Sequence, residues 1–83
     1  MVVTRVQTGV RVEARLLKVL KGLAEYLDLS LGDLLYGIVL HAFEGEAPFD
    51  EPTLRAIARL KKVYGLDLTA ADGHRLDERG AGR

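Results

Sequence analysis

Residues 4–12 read Thr4-Arg5-Val6-Gln7-Thr8-Gly9-Val10-Arg11-Val12. Val6, Thr8, Val10 and Val12 recur at period two, with Arg5, Gln7, Gly9 and Arg11 between them. That alternation is the pattern of a strand with one apolar and one polar face. Gly9 weakens it. No second stretch of comparable quality follows, and a lone strand cannot satisfy its own backbone groups. The nearest candidate partner is the same strand in another copy of the chain.

Downstream the period changes. Leu16, Leu17, Leu20, Leu23, Ala24 and Leu27 recur at three and four, opposite Arg15, Lys18, Lys21, Glu25 and Asp28. This predicts an amphipathic helix over 14–27. Gly22 inside it costs about 1 kcal/mol against alanine, or marks a close contact. After a short turn, Ser30 with Asp33 has capping-box spacing and opens a second helix over about 31–43. Leu31, Leu34, Leu35, Ile38, Val39, Leu40, Ala42 and Phe43 cover most of its circumference. A helix apolar nearly all round is buried nearly all round, and one strand and one helix cannot wrap it. A second subunit can, so a homodimer is expected twice over.

Residues 44–49 form a loop. Asp50 caps a third helix with Pro52 in its first turn, running to about Tyr64 and closed by Gly65. Its expected stripe is Leu54, Ile57, Ala58, the stem of Lys61, and Tyr64, with Arg55, Arg59 and Lys62 opposite and Glu51 paired to Arg55 at i,i+4. Leu66 and Leu68 anchor a short extension. The expected organisation is a single domain over 1–72 and a flexible tail over 73–83.

The order strand, helix, turn, helix over residues 5–43 resembles the ribbon-helix-helix family of dimeric DNA-binding proteins, which includes Arc-, MetJ- and CopG-like members. The resemblance rests on Val10 and Val12, Leu16, Leu17 and Leu20, the pair Leu29-Ser30, and Leu34, Leu35 and Ile38. It implies a mainly α fold. One N-terminal β-strand pairs across a homodimer, followed by two core helices and a third C-terminal helix. It also implies a transcriptional regulator that inserts its two-stranded ribbon into the major groove of double-stranded DNA. Gln7, Gly9 and Arg11 then fall at base-reading positions, and Arg and Gln have suitable donors and acceptors. Arg5, Lys18, Ser30, Leu31 and Gly32 fall at phosphate positions, the last three at a helix N-terminus. Val10, Val12, Leu34, Leu35, Ile38 and Val39 fall in the dimer core. Gly9 offers no side chain in the middle of the ribbon, Asp33 opposes an anion, and Glu13 replaces the expected small cap.

The 83 residues carry 12 basic and 12 acidic side chains, a neutral balance unusual for a binder of a polyanion. The charge is segregated: residues 1–22 carry plus four, 23–50 minus six and 51–83 plus two. The acidic middle and the extra helix favour the alternative, a small dimeric adaptor that holds a protein partner with the same fold. Cysteine is absent, which removes disulfides, thiolate metal sites and cysteine nucleophiles. With no long apolar run and no apolar leader, the expected location is the cytoplasm, without a membrane partner. No catalytic constellation, metal site or cofactor is expected. His41 and His74 lack a ligand pattern, Ser30 lacks a local base, and Glu44, Glu46, Asp50 and Glu51 lack calcium-loop spacing.

Overall fold

A computed structural model describes residues 2–74. Three helices stand where periodicity and caps place them: α1 (Ala14–Leu27), α2 (Leu31–Phe43) and α3 (Glu51–Tyr64). A short 3₁₀ turn, Ala70–His74, follows. The tail expected from residue 73 lies outside the described residues from 75 onward.

Each boundary has a local cause. At the start of α1 the Glu13 carboxylate accepts the Leu16 N–H at 2.9 Å, so the longer side chain performs the capping expected of a smaller one. Asp28 ends α1 in the left-handed region, φ 58°. Its N–H donates to Glu25 O at 3.1 Å, and the Leu29 N–H donates to Ala24 O at 2.8 Å. Ser30 Oγ accepts the Asp33 N–H at 3.1 Å, and Asp50 Oδ1 accepts the Thr53 N–H at 3.0 Å. Gly65 closes α3 at φ 67°, a conformation that costs glycine nothing.

The core is small. Leu23 and Ala24 of α1 meet Leu34 of α2, ringed by Leu20, Leu27, Ile38, Phe49, Ile57 and Leu60. Val19, Ala56, Leu66 and Thr53 are also buried. α1 and α3 pack closely at Gly22, where a Cβ would stand 2.8 Å from Leu60 Cδ2. The glycine in α1 is therefore a close helix contact. Arg15, in the first turn of α1, reinforces the pair at the C-terminal end of α3, donating to Gly65 O at 3.0 Å and to Asp67 Oδ1 at 3.1 Å.

Three expectations are corrected here. First, no strand exists among the described residues, and the ribbon-helix-helix assignment falls with it. Residues 2–13 are an irregular arm, with Val6 81% and Val10 73% exposed. Period two says which side chains would share a side once paired. It supplies no partner for the backbone, and no other segment among the described residues offers one. The described architecture is three helices, not a mainly α fold built on a ribbon. Second, the buried side of α3 is Thr53, Ala56, Ile57 and Leu60, rather than a stripe through Leu54 and Ala58, which are exposed. The Gly22–Leu60 contact sets that rotation. Val19, absent from the stripe expected for α1, is buried by the same packing. Third, Glu51 does not bridge to Arg55. Arg55 instead adds a small field to the Asp50 carboxylate.

Candidate interaction face on the second helix

α2 is apolar on two sides, and the described residues cover only one. Leu34 is buried, Ile38 packs with Phe49 against the core around it, and Leu31 and Leu35 are half-buried. Turned away from them is a second row at positions i, i+3, i+4 and i+7. It comprises Tyr36 (47% exposed), Val39 (44%), Leu40 (48%) and Phe43 (82%). That spacing places all four on one helical face about two turns long. Gly32 lies on the same face one turn earlier, where only the Arg5 side chain comes near, its Nη2 3.5 Å from a would-be Cβ. Asp33 is the sole Asp, Glu, Lys or Arg within Leu31–Phe43.

The arm reaches this face at its N-terminal end. Arg5 Nη1 donates to Asp33 Oδ1 at 2.8 Å, and its guanidinium lies 5.1 Å from the centroid of the Tyr36 ring. The pair is half exposed, so its Coulomb energy is strongly screened. The Arg5 hydrogen bond, assisted by the one from the Ser30 side, holds the Asp33 carboxyl below its ordinary range. At the start of α1, Glu13 is lowered chiefly by the Leu16 N–H, and its contact with Arg15 raises the Arg15 guanidinium.

The residues implied by the family resemblance are dispersed. Gln7, Gly9 and Arg11 sit on the exposed arm. Arg5 is engaged with Asp33 and Tyr36, and Lys18 lies 5.8 Å from the centroid of the Tyr64 ring. Ser30 spends its hydroxyl on its cap, Leu31 is half-buried and Gly32 is exposed. The helix end expected to receive a phosphate carries the Arg5–Asp33 pair. With no strand among the described residues, the ribbon-in-groove mechanism has no element to perform it, and the regulator assignment is withdrawn. The adaptor alternative loses the same fold. Of the expected dimer-core residues, Leu34 and Ile38 serve the chain's own core, Leu35 and Val12 are half-buried, and Val10 and Val39 are exposed.

Tyr36, Leu40 and Phe43 were not among the expected site residues. The signal for them was present as a second i, i+3, i+4, i+7 row on α2. Among the described residues no group of three His, Cys, Asp or Glu could hold a metal ion. No described helix is long and apolar enough to cross a membrane. No protein-family model matches the chain, and neither the curated proteins nor the solved structures contain a significant match to it.

Proposed function

We propose that the chain is a protein-interaction module whose working surface is the outer face of α2. The observation that carries this reading is the uncovered row Tyr36, Val39, Leu40 and Phe43 on a helix that is otherwise docked. Isolated exposed apolar residues are ordinary, but a contiguous row of four is not. Its area is on the order of 400–500 Å², in the range of functional patches. A short apolar row at helical spacing suits another helix, which can lay its own row against it at a separation of about 8–10 Å.

The test is the double variant Leu40→Glu/Phe43→Glu. It should keep its helical circular dichroism and its melting temperature in dilute solution. It should lose association, both with itself and with a synthetic amphipathic Leu/Lys helix offered as a probe. Unfolding of the variant would place the row in the chain's own core and end this reading. So would equal association by variant and wild type.

A further inference from the structure

Resting on that reading, we infer that the occupant of the α2 face is a second copy of this chain, packed antiparallel so that Gly32 of each copy receives Phe43 of the other. Four observations converge on it. The first is the size of the core: six apolar residues are buried among those described, and cysteine is absent. So small a core leaves a thin margin of stability, which burial against a partner subunit would widen. The partner guaranteed to be present whenever the chain folds is the chain itself. The second is surface. Val2, Val3 and Val6 of the arm and Tyr36, Val39, Leu40 and Phe43 of α2 are large apolar side chains that the described fold leaves in water.

The third is self-complementarity. On the outer face the smallest residue, Gly32, lies at one end and the most exposed large side chain, Phe43 (82%), at the other. A twofold axis crossing α2 between Gly37 and Ile38 sets Gly32 against the partner subunit's Phe43 and Tyr36 against the partner subunit's Val39. The slot at Gly32 is open except for the tip of Arg5. The fourth is charge. Antiparallel packing holds the two Asp33 carboxylates, and the Arg5 side chains bonded to them, at opposite ends of the pair. Parallel packing would bring like charges together. Antiparallel helices also oppose their dipoles favourably. The two rows together supply on the order of 900 Å², the size of a weak, transient interface. The dimer should accordingly dissociate in the micromolar range.

The absence of native cysteine allows a direct test. Gly32→Cys/Phe43→Cys should oxidise to a covalent dimer, whereas either single variant should not. Within one copy the two positions are too far apart along the helix to bridge, at about 1.5 Å of rise per residue. Sedimentation of the wild type should show a dimer. Gly32→Leu, which fills the slot without touching the core, should raise the dissociation constant at least about tenfold. A dimer in which the paired thiols stay reduced, or in which a single variant cross-links equally well, overturns the antiparallel register. A folded wild-type monomer at about 100 µM that still holds the Leu/Lys probe overturns self-pairing while the interaction reading stands. A monomer that holds neither overturns both.

Discussion

Arg5 Nη1 lies 2.8 Å from Asp33 Oδ1, and that contact fixes where the N-terminal arm meets α2. Both side chains are half exposed, so the contact directs the arm more than it stabilises the fold. Arg5→Ala or Asp33→Asn should leave the melting temperature nearly unchanged while releasing residues 2–12. Faster amide exchange and protease cleavage within the arm would register the release, and high salt should mimic it in the wild type. Unchanged exchange in both variants would show that other contacts hold the arm.

Asp28 pays for its left-handed conformation, and its carboxylate sits at the unfavourable end of α1. Asp28→Gly should stabilise the chain by up to about 1 kcal/mol. Urea unfolding at matched protein concentration would measure this, and a lower midpoint would mean that the Asp28 side chain has a role of its own.

At Gly22 two effects oppose. Gly22→Ala gains about 1 kcal/mol of helix propensity, but its Cβ must displace the flexible end of Leu60. The expected result is a small net change. Gly22→Leu cannot be relieved by a rotamer shift and should destabilise by roughly 1–3 kcal/mol. Equal midpoints for the two variants would show that α1 and α3 do not cross closely there.

Leu34 is 3% exposed at the junction of α1 and α2. Leu34→Ala should cost about 2–5 kcal/mol, a large share of what so small a chain has available. Leu40→Ala, one face round on the same helix, should cost the fold of a single copy far less. Comparable losses measured in dilute solution would contradict the assignment of inner and outer sides of α2.

Glu13, Asp33 and Asp50 accept hydrogen bonds that lower their carboxyls. The Leu16 N–H acts on Glu13, Arg5 on Asp33, and Thr53 on Asp50. Their folded pKa values lie below the unfolded ones. The unfolded chain therefore binds protons first as pH falls, and stability present above the ordinary carboxylate range is lost on passing down through it. Thermal melts should fall across that acid window and stay flat above it. Asp50→Asn keeps a capping oxygen but removes its proton site, so it should flatten part of the acid limb.

The helices were legible because their signals are local. Ser30, Asp50 and Gly65 act on backbone groups within a turn of themselves, and apolar residues at three and four mark a helix wherever it docks. Strand pairing is not local. The alternation from Val6 to Val12 is compatible with a ribbon, but the hydrogen bonds that make one come from another segment, and none is supplied among the described residues.

The sequence by itself therefore determined where each helix begins and ends, and that α2 carries more apolar surface than one docking can bury. Tertiary structure alone decided which side of α2 turns inward and which side of α3 is buried. On a helix apolar nearly all round, the sequence pattern offers no preference between the Leu34–Ile38 side and the Tyr36–Phe43 side. Contact with Leu23, Ala24 and Phe49 makes that choice. On α3, Thr53 is buried while Leu54 stays exposed because the close approach at Gly22 and the Arg15 contacts to Gly65 and Asp67 set the helix's rotation. Those constraints act between residues far apart in the chain, and no local pattern encodes them.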